Sequence, residues 1–211
     1  AEYSVDETLK KILSMNVAES MDKIAGTEFQ NSDVFYTPTS SSAGTLDKDG
    51  TVSTGAGASI TSAHIRDLIR NLKTDNVPKY DGNNYLGVFS PFAMAKLFED
   101  TASGSIVDLH KYDQPENLIN GEIGQYFGMR MIEENNVLSN TIGGSSHNGE
   151  AIVCGFEPVV EVLAQPETTM VESWDFGRFT GVAWNALTGF KKVWTNSTDG
   201  EYHMLRIHSN D

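Results

Sequence analysis

Cysteine is nearly missing: Cys154 is the single one in 211 residues. That excludes an internal disulfide framework and any cysteine-rich zinc site. It sits in the apolar run Ala151-Ile152-Val153-Cys154 and reads as a buried, inert thiol. Basic residues are also scarce. Lys and Arg number 15 against 29 Asp and Glu, for a formal charge of −14, and no basic cluster exceeds two. A duplex binder gains most of its affinity by neutralising phosphates, so sequence-specific nucleic-acid recognition is not the expected role. No apolar run approaches the roughly 18 residues of a membrane span. The opening stretch, Ala1 to Lys11, is polar and helical in pattern and does not read as a secretory signal. What is present is enough for a core: three Trp, seven Tyr and ten Phe argue against global disorder. The length suits one domain, or two small ones sharing a sheet.

The hydrophobic pattern predicts a helix over residues 3–25. Val5, Leu9, Ile12, Leu13, Val17, Met21 and Ile24 recur at three- and four-residue steps, Ser4 and Glu7 have capping-box spacing, and Gly26 is a plausible stop. Such a helix would run about 30 Å and lie across a sheet or against a neighbour. Residues 26–60 are rich in Ser, Thr and Gly and read as a long loop, with a short strand through Val34-Phe35-Tyr36. Over 61–76, Ile65, Leu68, Ile69 and Leu72 form one helical face, capped by Thr61 or Ser62 and ended by Pro78. Tyr85 to Phe89 reads as a short buried strand. Ser90-Pro91 then places a cap and a first-turn proline ahead of another helix. A further short helix is expected at 115–120. From 124 the period becomes two, with Phe127, Met129 and Met131 on one side. Ser139 to Gly149 is a Gly/Ser/Asn-rich loop, and strands are expected at 151–155, 159–163, 179–193 and 202–208. The fold class is α+β, helices first and antiparallel strands late, with no internal repeat.

Motifs for chemistry are thin. Asp47-Lys48-Asp49-Gly50 begins like a calcium loop, but Ala58 stands where the bidentate Glu would be required, so an acidic turn is the simpler reading. Gly143-Gly144-Ser145-Ser146-His147 lacks the nucleophile-elbow spacing, and a Ser beside a His in sequence makes no triad. Ser20 and Lys23 have Ser-x-x-Lys spacing on an ordinary helix. The five histidines, His64, His110, His147, His203 and His208, have no metal-binding spacing. His203 and His208, five apart on one strand, would face opposite sides. No phosphate loop or dinucleotide fingerprint occurs, and Asn196-Ser197-Thr198 reads as a hairpin turn. No cofactor, metal or catalytic residue is assigned.

A resemblance runs through the middle of the chain. His64 to Lys73, Asn76-Val77-Pro78-Lys79-Tyr80-Asp81-Gly82 and Tyr85 to Pro91 come in order. Asp108-Leu109-His110-Lys111-Tyr112, Asn120-Gly121-Glu122-Ile123-Gly124 and Phe127-Gly128-Met129-Arg130 follow. Gly181 to Ala186 and Met204-Leu205-Arg206-Ile207 continue it. This succession resembles the major capsid proteins of tailed bacteriophages, the N-four-like podophage capsid family, over about residues 3–211. The resemblance implies a Hong-Kong-97-type fold with a spine helix and β-sheet in a peripheral domain, and an axial α/β domain. Residues 1–25 would be the spine helix, 26–165 mainly the axial domain, and 166–211 strands returning to the peripheral sheet. Such chains carry an N-terminal arm and an extended loop ahead of the spine helix. Neither is apparent here, so a fragment or cleavage product of a longer capsid protein is expected.

The implied function is structural. Copies of the chain would close into pentamers and hexamers of an icosahedral virion shell around double-stranded DNA, assembled in the host cytoplasm, with scaffold, portal and decoration proteins as further partners. No enzymatic activity is implied. The acidity would keep packaged DNA off the wall. Contact candidates are Asp47 and Asp49 in the acidic loop, Gly143, Gly144 and His147 in the Gly-rich loop, and the exposed side of the first helix. Three other readings stay open: an encapsulin-like compartment shell, a calcium-stabilised surface binding module, and a hydrolase using Ser145 or Ser146.

Overall fold

The structure is a computed structural model that describes residues 5–50, 58–107, 122–136, 138, 148–194 and 202–210. In chain order, helix α1 (Val5–Gln30) precedes strands β1 (Phe35–Pro38) and β2 (Gly44–Asp47). Helix α2 (Ser62–Thr74), strand β3 (Tyr85–Phe89) and helix α3 (Pro91–Glu99) follow. Then come β4 (Glu122–Tyr126), β5 (Met129–Glu133), β6 (Asn148–Cys154), β7 (Val159–Trp174), β8 (Phe179–Lys192) and β9 (Met204–Asn210). Seven strands form a mixed sheet in the order β2-β1-β9-β6-β3-β5-β4, and β7 and β8 form a separate two-stranded sheet. The β1–β9 and β3–β5 pairs are parallel. The class is α+β, as expected, although the late strands do not all stay antiparallel neighbours.

Local signals account for the middle of the chain. The Thr61 N–H donates to Nδ1 of His64 at 3.0 Å, and the Ser62 N–H donates to Oδ2 of Asp100 at 2.8 Å. These satisfy N–H groups that the start of α2 leaves open. The α2 face of Ile65, Leu68, Ile69 and Leu72 is buried. At α3, Pro91 opens the helix and the Ser90 hydroxyl accepts from the Ala93 N–H at 3.3 Å. Both helices cover one face of the large sheet, against Tyr36, Tyr85, Phe89, Met129, Met131, Val153, Leu205 and Ile207. The opposite face carries a smaller cluster of Ile152, Cys154, Met204 and Leu138, with Phe29, Leu86, Val88 and Val159 packed against it. Cys154 is buried there, and burial pushes its thiol up to about 12. An unreactive thiol follows, because the thiolate is the nucleophile.

Several expectations are corrected. Helix α1 does not stop at Gly26 but continues to Gln30. Gly26 is buried, so packing overrides the roughly 1 kcal/mol cost of a helical glycine. Residues 35–47 form a β-hairpin instead of open loop. Phe127 is not a strand residue. It occupies the two-residue turn between β4 and β5 at φ 56, with Gly128 at φ 95. Two positive φ values are what a tight hairpin turn needs to match strand twist. Strand β7 runs to Trp174, well past the expected 163. The expected boundary at residue 165 therefore falls inside β7, and among the described strands β7 and β8 are the two that lie outside the large sheet. Strand β9 does not return to the hairpin but inserts between β1 and β6. Leu205 and Ile207 on one face and Met204 and His208 on the other are all buried, the pattern of a central strand. The short helix expected at 115–120 and most of the 139–149 loop lie outside the described residues.

Two predictions follow from this packing. Gly155 donates its N–H to the His203 carbonyl at 2.7 Å. A Cβ at Gly155 would lie 2.4 Å from the Pro78 carbonyl oxygen. Gly155→Ala is expected to cost about 1–3 kcal/mol of unfolding free energy by overpacking, measured by urea denaturation. His208 is buried beside the edge of Phe35, with ring centroids 5.2 Å apart. Burial, and secondarily the Arg206 charge, push its imidazole down to about 4. The unfolded chain, with an ordinary histidine near 6.5, then binds more protons between about pH 6.5 and 4, so stability rises with pH across that window. His208→Gln should flatten that slope in denaturation midpoints taken at pH 7, 5.5 and 4.5.

Candidate interaction surface

The β7–β8 hairpin does not bury two faces. Its strands pair from Val159↔Lys192 to Trp174↔Phe179, with register shifts between Leu163 and Thr168, where Pro166 cannot donate to the ladder. On β8, Trp184, Ala186, Thr188, Phe190 and Lys192 are half-buried and alternate with exposed neighbours. This half-buried side rests on α1, to which the Trp184 indole N–H donates at Asn16 Oδ1, 3.1 Å. The other side carries Val160, Val162, Met170 and Leu187, of which Val162 and Leu187 are each 61% exposed. A two-stranded sheet is marginal in water without a hydrophobic face covered. Here one face has α1, and the other has no cover among the described residues.

Helix α1 repeats this arrangement. Leu13, Val17 and Met21 are half-buried, whereas Ile12 and Met15 are exposed at 59% and 72%. The expected single apolar stripe is thus divided: part packs inside the molecule and part faces outward. Exposed apolar side chains on both elements make them the candidate interaction surface.

The root of the hairpin is fastened by charge. Lys192 Nζ pairs with Asp33 at 2.6 Å and donates to the Asn31 carbonyl at 3.2 Å. The Lys192 N–H donates to Glu28 Oε2 at 3.3 Å. Its side chain is only 11% exposed, so water screens this pair less than a surface one. Between the end of α1, the open face of β3 and β6, and the start of β7 lies a cleft of about 600 Å³. Phe29, Leu86, Val88, Ile152, Cys154 and Phe156 supply its apolar lining, and Asp22, Glu134 and Glu157 are acidic groups in its wall.

The residues singled out from sequence sit elsewhere. Asp47 closes β2, half-buried and opposite Phe35 in register, and Asp49 follows in an exposed turn. Lys48 between them reaches inward to Asp75 at 2.7 Å and lies 5.5 Å from the Tyr202 ring centroid. Among the described residues no three acidic, His or Cys side chains group as a metal site. Gly143, Gly144, Ser145, Ser146 and His147 lie outside the described residues, as do His110 and the 196–198 turn. Lys23 pairs with Glu19 at 2.7 Å, not with Ser20. Thr61 is the N-cap of α2, and His64 reaches back to its N–H to complete the capping box. His203 precedes β9, stacks on Trp194 at 4.0 Å between centroids, and bonds to the Phe156 carbonyl. No helix of the described residues is long and apolar enough to cross a membrane. Sequence reasoning missed the hairpin surface, whose available signal was the β-branched series Val159, Val160, Val162, Thr168, Thr169 and Val171.

No protein-family model and no curated protein sequence matches the chain. Solved structures do. The capsid of Ralstonia phage GP4 superposes with a TM-score of 0.71 at 14% identity, covering 100% of this chain and 69% of that one. The acid-stable capsid of Helicobacter pylori bacteriophage KHP30 gives 0.67 at 13% identity, covering 98% and 69%. The capsid of cyanophage Pam1 gives 0.63 at 15%, covering 99% and 70%. At such identities it is the fold that is shared. The chain has the α+β fold of phage capsid proteins, and it spans about 70% of the length of these three. The likeness is to phage capsids broadly and does not single out the N-four-like group.

Lys192→Ala should loosen the hairpin root, costing about 1–2 kcal/mol and speeding amide hydrogen exchange across 159–163 and 188–192, with the α2 and α3 amides unchanged.

Proposed function

We propose that this chain is a structural subunit of an icosahedral bacteriophage capsid. The observation that carries the reading is the apolar surface left open on the hairpin and on α1, in a fold shared with phage capsids. A shell works by geometry: identical subunits make heterologous contacts that close into rings, and the rings tile a closed surface. In this reading α1 and the 159–192 hairpin form the peripheral domain. The seven-stranded sheet with α2 and α3 forms the axial one. Pentamers and hexamers then enclose a double-stranded DNA genome, as the resemblance implies, and assembly in the host cytoplasm goes with it. The role is not enzymatic. Scaffold, portal and decoration proteins are further partners, and the loops carrying Asp47 and Asp49, and Gly143, Gly144 and His147, are secondary contact candidates.

The chain carries 29 acidic residues against 15 basic ones, so copies repel at long range and short-range apolar contacts must outweigh that repulsion. Raised salt should therefore promote assembly. Purified protein is expected to form shells or five- and six-fold rings by electron microscopy, at increasing yield from about 50 mM to 500 mM salt. Light scattering on the triple variant Val162→Lys, Met170→Glu, Leu187→Lys should then report single subunits with an unchanged circular dichroism spectrum. A wild type that stays at subunit mass throughout this range would refute the subunit assignment.

A further inference from the structure

The tip of the hairpin holds an aromatic side chain in solvent on an unusual backbone. Asp175, Phe176 and Gly177 follow one another at φ 51, 56 and 85. Left-handed geometry at two successive non-glycine residues is uncommon, and here it closes the hairpin between β7 and β8. Its result is a fully exposed Phe176 at 107%, flanked by Trp174 at 52% and Phe179 at 63%. The benzo ring of Trp174 packs against Gly181, where a Cβ would meet it at 2.4 Å. Beside Phe176 stands Arg178, 78% exposed, with Asp175 as its partner at 3.6 Å. This tip has the makeup of an interface anchor: a large rigid aromatic with an Arg beside it.

The apolar cleft is complementary to it. Its lining is aliphatic and aromatic, and Asp22, Glu134 and Glu157 oppose the charge of Arg178. Pro158 and Val159 at the hairpin root line the cleft, while Phe176 stands at the far end. Fifteen residues of extended strand separate Val159 from Trp174, roughly 50 Å at about 3.3 Å each. A tip cannot fold back over that span into its own cleft. We infer that the Phe176 tip of one copy docks in the cleft between α1 and the seven-stranded sheet of a second copy, with Arg178 meeting the acidic wall. The contact is heterologous, tip to root, and so propagates from copy to copy until a ring closes. The inference rests on the proposed self-assembly and adds which surfaces meet.

The test replaces Phe176 with photoreactive benzoylphenylalanine in the full chain, irradiates the assembled protein and maps the cross-links by mass spectrometry. Links between chains at Phe29, Leu86 or Phe156 are expected. Arg178→Glu should raise the protein concentration needed for assembly by about tenfold, and adding Glu157→Lys should restore it. Assemblies whose cross-links fall outside the cleft, or a charge swap without rescue, overturn this docking while leaving the subunit role intact. A wild-type chain that never assembles overturns both.

Discussion

The pairing of β9 between β1 and β6 is the constraint on which the rest of the molecule depends. It brings the last described strand beside one of the first, with Phe35 opposite Arg206, and joins two halves of the sheet that would otherwise have no shared edge. Arg206 on β9 donates to the Gln30 carbonyl at 2.6 Å and pairs with the fully buried Glu150 of β6. Removing one member of a buried ion pair strands the other charge, at a typical cost of about 3–5 kcal/mol. Ser32 adds a hydrogen bond to the Met204 carbonyl at 3.0 Å. The end of α1 is therefore held by the same strand that completes the sheet, and the placement of α1 decides where the hairpin can lie.

From that fixed point the chain builds two parts by opposite rules. In the large sheet both faces are used inside the molecule, by α2 and α3 on one side and the α1 end on the other. In the hairpin a single face is used, and only partly. Its root is held by Lys192 against Asp33, Asn31 and Glu28, while the strands extend past the covered region. Folding energy is concentrated in the sheet and its helices, and interaction surface is concentrated in the hairpin and the outer side of α1. In the proposed shell role, a firm centre with an open apolar arm suits contacts that are each modest and act together in number.

The acidity belongs to the same balance. A chain with a formal charge of −14 is kept apart from its copies at a distance. In the proposed assembly, screening over about 8–10 Å at ordinary salt would let short-range apolar contact prevail once surfaces meet in the right geometry. The acidic loop at 47–49 contributes to this field, while its Lys48 is turned inward to Asp75 and the Tyr202 ring.

How much was legible in sequence divides along physical lines. Helix α2, strand β3 and the Ser90-Pro91 start of α3 were readable because their signals are local: a 3.6-residue apolar face, a cap, a first-turn proline. The phage-capsid resemblance rested on these segments together with others as late as Gly181 to Ala186 and Met204 to Ile207, and the shared fold agrees with it. The candidate surface was not readable. Val162, Met170 and Leu187 stay exposed in this chain, so their alternation carries no imprint of an internal core. Pro166 stands within β7 beyond the expected strand, and the ladder absorbs it by shifting register. Gly26 sits inside a helix because neighbours pack against it, and Phe127 sits in a turn because Gly128 lets the backbone reverse there. The sequence by itself determined the elements whose stability comes from residues near one another in the chain. Only the tertiary structure decided where β9 inserts, how α1 divides its apolar residues and which hairpin face stays open, because those depend on contacts between residues far apart in the chain, such as Phe35 with Arg206 and Asn16 with Trp184.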